Sequence, residues 1–214
     1  KVAEKMPKNK VTHFLIKGGE TVEERFIGEA VVWDEEDAYN VLTPEYRNGP
    51  TVRSITKGIY DEVQGQDDVS KMQYLDLNLW MPGDILLKAD RMSMAHSLEL
   101  RVPFLDKEVM ELAKNIPSKY RVNEIDTKYA LRLAANEELP EEWAKRKKLG
   151  FPVPIRHWLR EEKYYNLVKE MFKADFTSEF FDVNQLVGYL DEHYTGEANR
   201  ARYIWTVYVF LVWY

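Results

Sequence analysis

Two segments of the chain carry residue types that could do chemistry. The first runs Asp84-Ile85-Leu86-Leu87-Lys88-Ala89-Asp90-Arg91-Met92-Ser93-Met94-Ala95 and continues as Ser97-Leu98-Glu99-Leu100-Arg101-Val102-Pro103-Phe104-Leu105-Asp106. On a helix Asp84, Lys88 and Arg91 fall at i, i+4 and i+7, making one polar stripe, with Ile85, Ala89, Met92 and His96 on the opposing face. Glu99, Arg101 and Asp106 then stand among Leu98, Leu100, Val102, Phe104 and Leu105, and charges embedded in apolar sequence must point outward or be paired. The second segment is Lys145-Arg146-Lys147-Lys148-Leu149-Gly150-Phe151-Pro152-Val153-Pro154. Four cations in a row, then glycine and an aromatic bounded by prolines, can build a rigid loop that holds a lysine toward a phosphate or carboxylate. An ammonium is a point charge with three donors, suited to negative charge developing on transferred phosphoryl or acyl oxygens.

Each segment also has a plainer reading. The first can be a solvated helix face followed by a buried ion pair that shapes a turn, and the second a solvated basic loop. Residue types alone leave both open. Other chemistry is excluded more firmly. The chain has no Gly-x-Gly-x-x-Gly, Gly-Lys-Ser/Thr, His-Glu-x-x-His or Gly-x-Ser-x-Gly motif. His13, His96, His157 and His193 lie at spacings that suggest no metal site and read as ordinary surface or partly buried histidines. With no cysteine, a disulfide framework and thiolate chemistry are both ruled out.

The elements that must position these residues are helical. Thr21 with Glu24 three residues on fits a capping box opening a short helix through Ala30, and Asp34 caps a second ending near Leu42. After the turn at Asn48-Gly49-Pro50 a helix runs through Val63. Asp67 starts a strong one with Val69, Met72, Leu75 and Leu79 on one face. Met81-Pro82-Gly83 interrupts it before a helix over Asp84–Ala95. Ser97–Leu105 is irregular, and Asp106 caps the helix of Val109, Met110 and Leu112. Helices are expected over Thr127–Asn136, Ile155–Leu159, Glu162–Phe172, Asp182–His193 and Ala198 to the end, with an ordered loop over Ala144–Pro154. The sum is a mainly α chain: a looser N-terminal arm with helices over 1–66 and a helical core over 67–214.

Composition supports one substantial core or at most two small ones, since 45% of 214 residues are hydrophobic and 31% charged. That excludes a wholly disordered chain. With 30 basic and 36 acidic side chains, the net charge of −6 weighs against a dedicated nucleic-acid surface. No stretch approaches the roughly 20 apolar residues that cross a bilayer; the nearest, Tyr203–Tyr214, suits a buried helix. These features predict a cytoplasmic protein with neither membrane nor nucleic acid as partner. A start at Lys1, with no signal-peptide core behind it, and an uncapped apolar end predict a piece excised from a longer polypeptide.

Taken together the two segments resemble one family. Arg91–Ala95 running into Ser97–Asp106, followed by Arg146-x-Lys148-x-Gly150-Phe151 with Pro154 and Trp158 behind, strongly resembles the synthetase domain of glutamine-hydrolysing asparagine synthetases. The likeness is most specific over Leu79–Trp158. It implies the helical C-terminal part of an α/β ATP-pyrophosphatase synthetase domain, without the catalytic N-terminal cysteine, the Ser-Gly-Gly-x-Asp-Ser loop or the Gly-Glu-Gly-x-Asp-Glu segment. The implied reaction activates the aspartate side-chain carboxylate with ATP as an acyl-adenylate, and ammonia from glutamine then attacks it. Magnesium would neutralise the phosphates, and both ATP and Mg2+ would be held mainly by the part not present. A homodimer of the full-length enzyme is compatible with this reading.

Carried over by position, the resemblance makes Lys148 the lysine that stabilises charge on the activated acyl group or phosphate. It puts Lys88 where the family tends to have a cation near substrate, often arginine. Glu99 and Arg101 match an acid–base pair lining or shaping the aspartate pocket, and Asp84 lies beside an acidic position of the family. The helix at Met92, the bend ending at Asp106 and the Gly150 loop are then expected to share a cleft. Two other readings stand beside this one. One is a related adenylating, amide-forming enzyme with another carboxylate substrate. The other is a non-catalytic helical interaction module using the apolar tail.

Overall fold

Local capping chemistry sets several helix starts. Asp67 accepts from Ser70 N at 3.2 Å and from Ser70 Oγ at 2.7 Å, opening the helix Asp68–Asn78. Asp106 accepts from Glu108 N at 2.8 Å ahead of Lys107–Lys114, and Asp182 accepts from Gln185 N at 3.1 Å ahead of Val183–Thr195. The structure, a computed structural model, describes residues 18–29, 31–33, 35–147, 150 and 153–214. Among the described residues it is mainly α, with one isolated antiparallel bridge between Leu42 and Phe181. They fall into two compact units, one within Lys1–Glu29 and Arg53–Lys148, the other within Ala30–Val52 and Leu149–Tyr214.

The first unit carries the helices Val22–Arg25, Val52–Asp61, Asp68–Asn78, Leu87–Met94, Lys107–Lys114, Ser118–Arg121, Tyr129–Glu138 and Glu141–Ala144. The capping interaction at Thr21 is present, with Glu24 Oε2 accepting from Thr21 N at 2.8 Å. The helix it opens is a single turn, however, and does not reach Ala30. Phe26 is extended, its carbonyl accepts from Tyr60 Oη at 2.6 Å, and Gly28 adopts φ 111, so a tertiary contact ends the helix. Burial, with nearby carboxylates, pushes the Tyr60 phenol up to about 12. In Asp68–Asn78 Leu75 is fully buried, and Val69, Met72 and Leu79 flank it half-buried.

Met81-Pro82-Gly83 does not break the chain into two helices as the prolyl residue suggested. The backbone stays helical and widens into a π segment over Met81–Leu86 before Leu87–Met94. Pro82 has no N–H to give to an α ladder, and the wider turn accommodates that loss. Tyr129–Glu138 starts two residues later than expected. Asp126 Oδ1 takes the Lys128 N–H at 2.9 Å, which holds Lys128 outside the helix.

The second unit carries Glu35–Val41, Ile155–Trp158, Glu162–Phe172, Val183–Thr195 and Ala201–Trp213, close to expectation, and a one-turn helix Thr177–Phe180 that the sequence did not suggest; Asp34, the expected cap, lies outside the described residues. Its core gathers Phe172, Leu186, Leu190, Ile204, Val207 and Leu211. The apolar run at the end is a helix that buries Ile204, Val207 and Leu211, while Trp205, Val209, Val212 and Trp213 stay exposed. Gly196 at φ 87 ends Val183–Thr195 in the left-handed conformation that glycine adopts without strain.

His193 differs from the surface or partly buried histidine expected, because it is fully buried. Its Nε2 lies 3.0 Å from the Arg156 carbonyl and its Nδ1 accepts from Arg200 N at 3.3 Å, which fixes the neutral tautomer. Burial pushes the imidazole below its ordinary value, with the Arg160 and Arg156 charges acting in the same sense. Below pH about 6.5 the unfolded chain therefore takes a proton that the folded chain refuses. Its stabilising contribution is complete above that pH and is lost as pH falls toward the folded-state value. The chain should melt at a lower temperature at pH 5.5 than at pH 7.5, and His193→Gln should flatten that dependence. Equal slopes for the two proteins would contradict this assignment.

Candidate functional site

The polar stripe of the first unit forms where the π segment passes into the next helix. Asp84, within the π segment, accepts from Trp80 Nε1 at 3.1 Å and stands 3.4 Å from Lys88 Nζ one turn on. Both members of this i, i+4 pair are exposed, so solvent screens it and its stabilising effect is slight. Asp84 engages one of the three donors of the ammonium. Ile85 and Ala89 lie half-buried behind the stripe, as expected. Met92 and His96, assigned to the same inner face, are exposed.

The helix Leu87–Met94 then closes on an unusual cap. Ser97 adopts φ 55, Ser97 N donates to Met94 O and Leu98 N to Ser93 O, each at 3.0 Å. A side chain in the left-handed region costs roughly 1 kcal/mol, a cost that glycine avoids. Strain of this kind is concentrated where the chain must change direction sharply. Here it sends the backbone into the irregular stretch Leu98–Val102 and the 3-10 turn Pro103–Leu105.

Glu99 and Arg101 alternate along that stretch and so emerge on the same side. Arg101 Nη2 lies 2.5 Å from Glu99 Oε1. The pairing matches the sequence; the burial does not. Their side chains are 70% and 82% exposed, and Leu98, Leu100, Val102 and Phe104 around them are exposed as well. A two-residue spacing secures proximity, but burial needs other elements packed over the pair, and none of the described residues does so.

The structure thus brings the expected residues together as two local pairs, Asp84 with Lys88 and Glu99 with Arg101. Lys148 lies outside the described residues, and so does Phe151. Among the described residues no group of three His, Cys, Asp or Glu side chains could hold a metal ion. None of the four described site residues lines the pocket of about 560 Å3 in the same unit, which Ser70, Gln73, Tyr74, Asn115 and Arg121 help to form. Its Arg121 donates to Gln73 Oε1 at 2.5 Å and to Ser70 Oγ at 2.6 Å.

Sequence reasoning passed over Arg132, which binds the backbone at the end of the helix Glu141–Ala144. Its Nη1 donates to the carbonyls of Ala144 at 2.8 Å and Arg146 at 3.0 Å. The signal was faint: an arginine in a helix, six residues after an aspartate. Further along the loop, the Arg146 guanidinium lies over the Trp143 ring at 5.8 Å and Lys145 pairs with Glu141.

Comparison with known proteins assigns the chain to a family. The family model for asparagine synthase matches residues 5–214, and the chain belongs to that family. It is 42% identical over all 214 residues to asparagine synthetase (glutamine-hydrolyzing) 1 of Bacillus subtilis, covering 34% of that protein. A Mycobacterium bovis protein provisionally named asparagine synthetase (glutamine-hydrolyzing) is 40% identical over 200 residues, 94% of this chain and 30% of that one. Asparagine synthetase (glutamine-hydrolyzing) 3 of Bacillus subtilis is 30% identical over 128 residues, 55% of this chain and 21% of that one. The chain spans about a third of the length of the first two of these relatives. No solved structure matches the chain significantly.

The exposed geometry of the Glu99–Arg101 pair has a direct test. Arg101→Ala in this chain should leave the melting temperature within about 2 °C of the parent, as exposed ion pairs contribute little to stability. A much larger drop would mean that the arginine is buried in solution.

Proposed function

We propose that this chain supplies the helical, substrate-facing part of a glutamine-dependent asparagine synthetase, built on an ATP-pyrophosphatase core outside the chain. The observation that carries the proposal is 42% identity over all 214 residues to a relative of that name. In the complete protein an oxygen of the aspartate side-chain carboxylate attacks the α-phosphorus of ATP. The bond to pyrophosphate breaks, leaving an acyl-adenylate. Ammonia derived from glutamine attacks the acyl carbon, AMP departs, and the nitrogen loses a proton to give asparagine.

This chain's residues act on charge and position. The Lys148 ammonium stabilises negative charge developing on the acyl or phosphoryl oxygens. Lys88 faces the substrate carboxylate as a point charge rather than a bidentate clamp, with Asp84 holding its side chain. Glu99 and Arg101 line or shape the aspartate pocket. Magnesium is expected with ATP in this family, but the donor sets of the described residues do not fit it.

Three outcomes follow. The chain by itself should catalyse no ATP–pyrophosphate exchange, because it contains no Ser-Gly-Gly-x-Asp-Ser loop to hold the nucleotide; measurable exchange would refute the division of labour. In the complete synthetase Lys148→Ala should lower kcat by at least about a hundredfold, the scale seen when one electrostatic stabiliser is removed. Lys88→Ala should instead raise the aspartate KM by roughly tenfold or more and change kcat little. Aspartate assayed against other carboxylates tests the substrate itself.

A further inference from the structure

The basic run Lys145–Lys147 has no regular structure to give it shape. Its path is set from outside. The helix Glu141–Ala144 ends at Lys145, and its last carbonyls have no partner within the helix. Arg132, on the helix Tyr129–Glu138, supplies one. A single guanidinium nitrogen reaches both Ala144 O, at 2.8 Å, and Arg146 O, at 3.0 Å. On the other side of the same group, Nε stands 2.7 Å from Asp126 Oδ2, near enough for an ion pair although the N–H does not point at the oxygen.

Asp126 is itself immobilised. Its Oδ1 accepts from Lys128 N at 2.9 Å, and its own N–H donates to Asn123 Oδ1 at 3.0 Å. Both charged side chains are largely shielded, at 22% and 27% exposure, so water screens this pair less than the exposed pairs of the unit. The planar fork of arginine can span two carbonyls and a carboxylate at once. A lysine ammonium at the same place could not keep that geometry.

We propose that Arg132 is the positioning residue of the lysine loop, fixing the backbone at Ala144 and Arg146, two positions before Lys148 in the sequence. This rests on the role given to Lys148 above. Because both carbonyl contacts are to backbone, the device works whatever side chains the loop carries. It acts through the lysine and touches no substrate, so removing it should impair the chemical step and leave substrate affinity in place.

The experiment is a double-mutant cycle in the complete synthetase, read by aspartate-dependent ATP–pyrophosphate exchange. Arg132→Gln should lower kcat by at least about tenfold with the aspartate KM within twofold, and Arg132→Lys should restore it only in part. In a Lys148→Ala background the same Arg132→Gln change should cost less than twofold, since the group it positions is gone. Amide hydrogen exchange should quicken over Lys145–Lys147 and stay unchanged over Asp68–Asn78. If Arg132→Gln retains full kcat while Lys148→Ala loses it, or if its full effect persists without Lys148, the positioning role is overturned and the lysine assignment survives. Full kcat in Lys148→Ala overturns the lysine assignment and the positioning role with it. Should Arg132→Gln not fold, Asp126→Asn in the same cycle decides the matter: a reduction of at least threefold that vanishes in the Lys148→Ala background supports the role, and any other pattern rejects it.

Discussion

The motif-bearing unit depends on long side chains with directed charge where a larger protein unit would rely on a core. Among its described residues few are buried; Val22, Thr56, Tyr60, Leu75 and Ala144 are the principal ones. Apolar burial of that extent gives little to orient eight helices, because the hydrophobic effect scales with area and has no direction. Directed contacts between residues distant in sequence set the angles instead. Arg25 meets Asp68 at 2.8 Å and Lys71 meets Glu23 at 2.5 Å, tying the first short helix to Asp68–Asn78. Arg121 reaches Ser70 and Gln73, and Arg132 holds the turn before the lysine loop. The Lys71 ammonium keeps the Glu23 carboxyl below its ordinary range, as a formed contact of this kind should.

The second unit is organised by the opposite means. Phe180 meets Phe210 and Tyr214 edge-on at 5.2 and 4.9 Å, and Trp33 stacks on Tyr203 at 4.1 Å. Aromatic rings add quadrupolar preferences to the area they bury, which fixes their relative angles as well as their distance. The same residues leave an apolar groove of about 680 Å3, with the hydroxyls of Tyr46, Thr206 and Tyr214 as polar exceptions along it. The Tyr46 hydroxyl is already committed to Glu179 at 3.3 Å and the Thr206 hydroxyl to the Arg202 carbonyl at 2.8 Å.

What could be read from the sequence divides along the range of the forces involved. The cap at Asp106 and the helix starts at Asp67 and Asp182 were legible because donor and acceptor lie within three residues of one another. The pairing of Glu99 with Arg101 was legible for the same reason. Their exposure was not, since burial is decided by which elements cover a segment, and the alternation of charged and apolar residues is the same in either case. The early end of Val22–Arg25 depends on Tyr60, a residue 34 positions after the carbonyl it binds. Arg132 was invisible for a related reason: its partners are mainly backbone carbonyls, and carbonyls leave no trace in a sequence.

The widened turn at Met81–Leu86 has a phase consequence. An α-helix advances about 100° and 1.5 Å per residue, and a π turn holds one residue more in nearly the same length. Everything after it, including Lys88 and Arg91, is therefore rotated about a quarter-turn from where an uninterrupted α ladder from Asp68 would carry it. Excising Gly83 would restore that ladder's registry and swing the cationic edge around the barrel of the helix with no change to any charged residue.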